Sequence, residues 1–190
     1  MKRILFIIVF LLGIESILYG SYYWDYPKWL EDSNLDKKIS DLKVIRSEDR
    51  IIIFYILLKN NSANIEYWIT DDLQNFKGPF KVERNIEIKE GFYPGYDVHY
   101  FNGKILLVYN DIKGNIYSKI SSNNGKSWGN EKALLSFETF SFKPMLFVIG
   151  DKVFLFYHTD SKGRRIDFFY IKTENLFKTH SPPVQIAQGF

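Results

Sequence analysis

The chain lacks cysteine, carries little net charge and shows no helical periodicity. The absence of cysteine among 190 residues excludes disulfides, thiolate metal ligands and thiol redox chemistry. Lys and Arg number 25 against 22 Asp and Glu, a formal charge of +3, and no basic run or stripe occurs. Nucleic acid is therefore not expected as a partner. The three histidines at 99, 158 and 180 share no metal-ligand spacing, so we predict no metal and no cofactor.

The sequence is instead rich in aromatic residues, which make up 18% of the chain with 17 Phe and 13 Tyr. Aromatic and β-branched side chains suit a pleated, half-buried surface. Short apolar runs separated by polar turns then predict an all-β protein.

The N-terminal segment has the layout of a secretory signal. "MKR" is followed by the apolar run "ILFIIVFLLG" at 4–13, which is short for a membrane span. Residues 1–20 are predicted to be a signal peptide or, because Leu18 and Gly20 make a weak cleavage site, an uncleaved N-terminal anchor. Such an anchor would be the chain's only membrane contact, and the mature protein is predicted to be secreted, periplasmic or on the cell surface. Residues 21–38, with "SYYWDYPKW", are predicted to be an aromatic strap.

The remainder repeats at about fifty residues. Each unit has a strand, a tight turn, a basic residue, an apolar run ending in Tyr, and a further strand that ends in a polar turn closed by an aromatic. The basic residues are Arg50, Lys104 and Lys152, and the tyrosines are Tyr55, Tyr109 and Tyr157. Four antiparallel strands repeated at this period are typical of a β-propeller blade.

We therefore predict about three blades of a β-propeller, roughly 39–92, 93–140 and 141–190. Closed propellers usually have 4–8 blades. The sequence favours the N-terminal part of a longer propeller, such as a truncated gene product. The alternative is self-association that covers the open blade edges.

The run "SSNNGKSWG" at 121–129 supports this interpretation. Its Gly-Lys-Ser lacks the first Gly and the following helix of a phosphate-binding loop. Its Ser121-x-Asn123-x-Gly125-x-Ser127-Trp128 pattern resembles the Asp-box, Ser-x-Asp-x-Gly-x-Thr-Trp, of sialidase-like (BNR-repeat) β-propellers, with Asn in place of the Asp. The resemblance implies a structural turn between the third and fourth strands of a blade. "TDDLQNF" at 70–76 and "TENLF" at 173–177 are looser versions.

The resemblance also implies a glycan-directed function. Sialidases hold a carboxylate with three arginines and use a Tyr–Glu nucleophile and an Asp acid/base. Arginine is scarce here and the family's Arg-Ile-Pro start is absent, which argues against a complete sialidase site in this chain. Arg46 is still a substrate-binding candidate, with a solvated hairpin position as the alternative.

Propeller ligands meet the loops that enter the innermost strands. Those loops supply Asp97 and Asp41 as catalytic candidates, and Tyr93, Tyr96 and Lys143 as substrate-binding ones. For each, a turn or packing role is the alternative.

Two functional hypotheses follow from these residues. The first is an exported sialidase-like propeller, a glycoside hydrolase or the remnant of one, acting on a glycan or glycoconjugate. The second is a non-catalytic carbohydrate-binding or protein-interaction propeller module. Blade repeats define an architecture and leave the chemistry open.

Overall fold

The computed structural model describes residues 37–59, 61–88, 94–136, 140–160 and 166–188. The predicted signal at 1–20 and all but the last two residues of the strap at 21–38 lie outside these ranges. Every regular element within them is a strand, and no helix there is long and apolar enough to cross a membrane.

Twelve strands form three sheets of four. The first sheet contains β1 (Lys37–Ser47), β2 (Arg50–Lys59), β3 (Ser62–Thr70) and β4 (Lys77–Glu87). The second contains β5 (Tyr96–Phe101), β6 (Lys104–Asn110), β7 (Ile116–Ser121) and β8 (Lys132–Leu135). The third contains β9 (Phe140–Ile149), β10 (Lys152–Asp160), β11 (Ile166–Thr173) and β12 (Val184–Gln188).

Each sheet is an antiparallel meander in which neighbours in sequence are neighbours in space. Local turn chemistry explains the hairpins. Asn102 and Gly103 both have positive φ, 49° and 72°, which is the two-residue turn that matches strand twist. The sheets are called blades 1, 2 and 3 in chain order.

The blades stack face to face, as the burial of β6, a central strand of blade 2, shows. All of β6 except Lys104 is buried. Its alternate residues Ile105, Leu107 and Tyr109 share a hydrophobic cluster with blade 1. Leu106 and Val108 share a second cluster with blade 3. A strand that is apolar on both faces is therefore explained by burial between two neighbours.

We call the face of a blade that points to the next blade in the chain its leading face, and the opposite one its trailing face. Ile52, Phe54 and Ile56 of blade 1 belong to the first cluster and are on a leading face. Val153, Leu155 and Tyr157 of blade 3 belong to the second and are on a trailing face. The predicted all-β architecture of four-stranded antiparallel blades is confirmed by these three sheets.

Candidate functional site

The first strand of each blade forms one edge of its sheet, and these edge strands adjoin: β1 contacts β5, and β5 contacts β9. The arrangement places the starting ends of three strands together. We call the side chains gathered there the axial cluster: Asp41, Lys43, Tyr96, Asp97 and Lys143. Four of these five were predicted from the sequence, and the structure brings them together from three blades.

The cluster follows the repeat register. Asp41, Gly95 and Lys143 each lie nine residues before the shared basic residue of their unit. Asp41 and Lys143 have positive φ, 54° and 40°, at register shifts in β1 and β9. Such bulges re-aim side chains at functional sites, and here they occur at the same place in blades 1 and 3.

Asp97 holds the three blades together. One carboxylate oxygen accepts from the Lys43 ammonium of blade 1 at 2.6 Å and from the Val98 N–H at 2.8 Å. The other accepts from the Leu146 N–H of blade 3 at 2.7 Å. With only 15% of its side chain exposed, Asp97 is engaged on both oxygens.

Tyr96 is buried beneath the cluster, 2% exposed. Its hydroxyl donates to the Asp41 backbone carbonyl at 2.5 Å, and Lys43 Nζ lies 5.8 Å from its ring centroid. Burial first, then the charges of Asp41 and Asp97, raise the pKa of Tyr96 well above its usual range. The ring packs inside the protein, which corrects the expectation that it presents a face to a sugar.

Asp41 is the exposed carboxylate of the cluster. No donor among the described residues bonds to its side chain. Although the residue is exposed, protein atoms crowd its carboxyl. The resulting desolvation raises its pKa, Lys43 and Lys143 oppose the rise, and Asp97 adds to it. Asp41 is thus an exposed residue whose carboxyl interacts electrostatically with two ammonium groups.

The two remaining predicted binding residues are Arg46 and Tyr93. Arg46 is exposed, and its Nε donates to the Glu48 carbonyl at 3.2 Å in the β1–β2 turn, so the structure does not bring it to the axial cluster. Tyr93 lies outside the described residues. Within the described ranges, no group of three or more His, Asp or Glu side chains converges as metal ligands would.

Two features of the cluster were missed in the sequence. Lys43 stands at the same repeat position as Asp97, seven residues before the basic residue, and comparing the units by position would have found it. Gly95 was also overlooked. A Cβ there would lie 2.8 Å from the Lys143 Cα, so glycine allows β5 and β9 to approach. Buried Asn110 holds this backbone by accepting from the Gly95 N–H at 2.8 Å.

The "SSNNGKSWG" segment forms the β7–β8 turn. The Ser121 hydroxyl accepts from the Gly125 N–H at 2.9 Å, and Asn123 Oδ1 accepts from the Ser127 N–H at 2.9 Å. Gly125 has φ 82°. Trp128 lies edge-on to Phe54 and Tyr67 of blade 1, with ring centroids 6.1 Å away. This turn organises the blade 1–blade 2 contact and lies on strands other than those of the axial cluster.

The same bonding pattern recurs after β11, where the sequence resemblance is weak. The Thr173 hydroxyl accepts from the Phe177 N–H at 3.0 Å, and Asn175 Oδ1 accepts from the Thr179 N–H at 2.9 Å. Phe177 takes the position of Gly125 with φ 61° and is fully buried. The turn motif was hard to see because an aromatic residue stands where glycine is expected.

Comparison with known proteins gives matches by structure. No protein-family model matches the chain, and no curated protein matches its sequence. An α-L-arabinofuranosidase of Fusarium graminearum in complex with an iminosugar inhibitor matches with a TM-score of 0.57 at 13% identity, over 86% of this chain and 52% of that one. An α-L-arabinanase of Penicillium chrysogenum complexed with arabinobiose gives 0.54 at 13%, over 77% and 49%. The GH43B protein of a Bacteroides ovatus xyloglucan PUL gives 0.57 at 9%, over 77% and 29%.

These neighbours are propeller glycoside hydrolases, and the chain spans about half or less of each of them. Identities this low establish the fold alone. The described part of the chain is therefore three blades of a β-propeller whose solved neighbours are carbohydrate-active.

Proposed function

We propose that the protein is a glycan-directed propeller that holds a sugar at its axial cluster. The observation that carries this proposal is the convergence of Asp41, Lys143 and the Asp97–Lys43 pair at the starting ends of three inner strands. Small-molecule ligands bind at sites where a few polar groups of the protein converge. An arabinobiose complex in a structural neighbour supports a carbohydrate as the ligand class.

Each charged group has a distinct part in this proposal. The Asp41 carboxylate accepts hydrogen bonds from sugar hydroxyls, as an ionised carboxyl is an acceptor with two oxygens. The exposed Lys143 ammonium donates to hydroxyl or carboxylate oxygens of the same ligand. Asp97, already bonded on both oxygens, keeps the three strands in position and is a positioning residue.

Glycoside hydrolysis is the second candidate function, and the raised pKa of Asp41 favours it. A carboxyl with a raised pKa can act as a general acid. Hydrolysis normally needs two carboxyl groups that flank the scissile bond, and Asp97 is occupied by Lys43 and two N–H groups. Binding therefore has the stronger support. We also propose that the protein belongs to the sialidase-like BNR family, on the basis of the 121–128 motif, and that it is exported, on the basis of residues 1–20.

The test is a titration of the purified protein with arabinobiose and, separately, with 3′-sialyllactose, by calorimetry or ligand-observed NMR. Asp41→Asn keeps the side-chain shape, and Asn tolerates positive φ. Because the substitution removes the negative charge that accepts the ligand's hydrogen bonds, we expect it to weaken binding of whichever probe binds by at least about tenfold. Asp151→Asn, in an exposed turn, is the matched control and should bind like wild type. Equal binding by wild type and Asp41→Asn would exclude Asp41 as the ligand contact.

Hydrolysis is measured on the same variants. Sugar release from a fluorogenic sialoside or arabinofuranoside that is lost in Asp41→Asn and kept in Asp151→Asn would favour the second candidate. Binding without turnover by wild type would leave the protein a binding module.

A further inference from the structure

A cavity of about 350 Å³ lies between blades 2 and 3, away from the axial cluster. Its lining residues come from β7, β8 and the segment that joins them in blade 2, and from the turn after β11 in blade 3. Those on which the argument depends are Ser118, Ile120, Asn130, Lys132, Leu176 and Lys178. Small-molecule sites have volumes of about 300–1,000 Å³, so this cavity has room for a small ligand.

The cavity results from a change of side chains at one register position of the repeat. On the leading face of blade 1, Tyr67 of β3 pairs with Phe80 of β4, and their ring centroids are 5.4 Å apart. In blade 2 the corresponding pair is Ser118 of β7 and Lys132 of β8. The residue before the shared tyrosine of the repeat fixes this correspondence, because it faces Tyr67 in blade 1 and Ser118 in blade 2. A hydroxyl and an aliphatic ammonium chain thus replace two aromatic rings, which leaves space against blade 3.

Lys132 also takes over a hydrogen bond that Tyr67 makes between blades 1 and 2. The Tyr67 hydroxyl donates to the Gly125 carbonyl at 2.5 Å. Lys132 Nζ donates at 2.5 Å to the carbonyl of Phe177, which has the turn position of Gly125, and at 2.7 Å to the Lys178 carbonyl. An ammonium has three donors, and the third has no acceptor among the described residues. Lys132 is therefore held at the cavity wall with one N–H available to a ligand.

The cavity carries positive charge that no neighbouring carboxylate neutralises within the described part of the chain. Its two ammonium groups are those of Lys132 and the exposed Lys178, and none of the described residues that line it is acidic. Glu131 precedes Lys132 in the chain, but burial first and then Glu83 of blade 1 raise its pKa. The Glu131 carboxyl therefore faces the interface with blade 1, on the other side of the sheet.

We propose that the cavity between blades 2 and 3 binds a small molecule that carries an anionic group, a carboxylate or a phosphate. Lys132 and Lys178 bind this group, because charge-assisted hydrogen bonds are stronger than neutral ones. Ser118 and Asn130 bond to hydroxyl groups of the same ligand, and Ile120 contacts its apolar part. The cavity is built from other strands than the axial cluster, so this inference is independent of the proposed function.

The first test is a titration of the purified full chain with D-glucuronate, D-glucose 6-phosphate and D-glucose, by calorimetry or ligand-observed NMR. The three probes share a sugar ring, and the first two distinguish a carboxylate from a phosphate. We expect at least one anionic probe to bind, and glucose to bind at least about tenfold more weakly because it lacks the charge-assisted bonds. No binding of either anionic probe, or equal binding of glucose, would overturn the proposal.

The second test removes one of the two charges. Lys178→Gln keeps the backbone carbonyl that accepts from Lys132, and we expect it to weaken binding of the anionic probe by at least about tenfold. Lys126→Gln is the matched control, because Lys126 is also exposed and has the position in the β7–β8 turn that Lys178 has in the turn after β11. There, aromatic side chains fill the interface, so this variant should bind like wild type. Equal losses in the two variants would show attraction to surface charge in general and would contradict a site in the cavity.

Two further variants locate the bound probe. Asn130→Trp keeps both ammonium groups and places a large side chain in the cavity, so it should also weaken binding, and because Asn130 is exposed its thermal unfolding should match that of wild type. Lys143→Gln changes the axial cluster and should leave binding of the anionic probe unchanged. Binding that survives both Asn130→Trp and Lys178→Gln but is lost in Lys143→Gln would place the probe at the axial cluster and overturn the cavity site.

Discussion

Asp97 illustrates at the residue scale how one side chain can connect three blades. Its oxygens accept from Lys43 of blade 1, from Val98 beside it and from Leu146 of blade 3. Asp97→Ala leaves these donors without their acceptor, which costs about 2–4 kcal/mol of unfolding free energy for charge-assisted, part-buried bonds. Asp151→Ala, exposed in a turn, should change stability by less than about 0.5 kcal/mol. Denaturant unfolding measures both, and equal stability of the two variants would remove Asp97 as a structural link.

Asp41 should behave in the opposite way to Asp97, because its ionised form costs stability, as expected of a residue that is kept for ligand binding. Its pKa is raised above the ordinary 3.8, so the native state binds the proton more tightly than the unfolded chain does. The stability associated with the neutral carboxyl is present below the unfolded pKa and is lost as the pH rises through the folded one. Asp41→Asn cannot ionise, and its stability relative to wild type should therefore increase as the pH rises from about 3 to 7.

Asp72 provides a control of opposite sign. The N–H groups of Asn75 and Gln74 lower its pKa to about 2, so its ionised form is favoured in the folded protein. Asp72→Asn should lose stability relative to wild type as the pH rises from about 2 to 5. Thermal unfolding across pH measures both variants, and parallel curves for wild type and Asp41→Asn would contradict the assignment for Asp41.

At the scale of the element, the turn after β11 stores strain at a buried aromatic. Phe177 has φ 61° and no exposed surface. Phe177→Ala loses about 3–5 kcal/mol of packing and keeps the unfavourable backbone. Phe177→Gly loses the same packing but recovers about 1–2 kcal/mol of backbone strain. Glycine should therefore be the more stable of the two replacements.

Phe54, equally buried but in the regular strand β2, is the comparison site. There glycine should be worse than alanine by about 0.5–1 kcal/mol. Chemical denaturation of the four variants gives both differences, and the same order at both positions would show that the φ of Phe177 carries no strain.

The elements also show what the sequence could and could not foretell. Hairpin signals are local, so Asn102–Gly103 and the shared basic and Tyr positions predicted the strands and their grouping into sheets of four. The repeat register likewise predicted that Asp41, Asp97 and Lys143 enter equivalent inner strands. Burial depends on neighbours from other blades, which is why Tyr96 was taken as a ligand contact. The partner of Asp97, Lys43, is 54 residues away, and no local pattern indicates such a bond.

At the scale of the whole molecule, stability should be unevenly distributed among the blades. Blade 2 is covered on both faces, and six of the seven residues of β6 are buried. β12 is an outer edge strand with every residue exposed. Local opening costs least where few apolar contacts are lost. Amide hydrogen exchange, followed by mass spectrometry, should therefore be slowest in β6 and fastest in β12.

The outer strand β4 separates the effect of burial from that of edge position. It also lies at a sheet edge, but its Val82 and Ile86 are buried in the cluster shared with blade 2. We expect β4 to exchange more slowly than β12 because opening it exposes those side chains. Equal rates in the two strands would mean that edge position alone sets protection. Exchange in β6 as fast as in β12 would mean that the blades open independently, and the two clusters would then not join them into one cooperative unit.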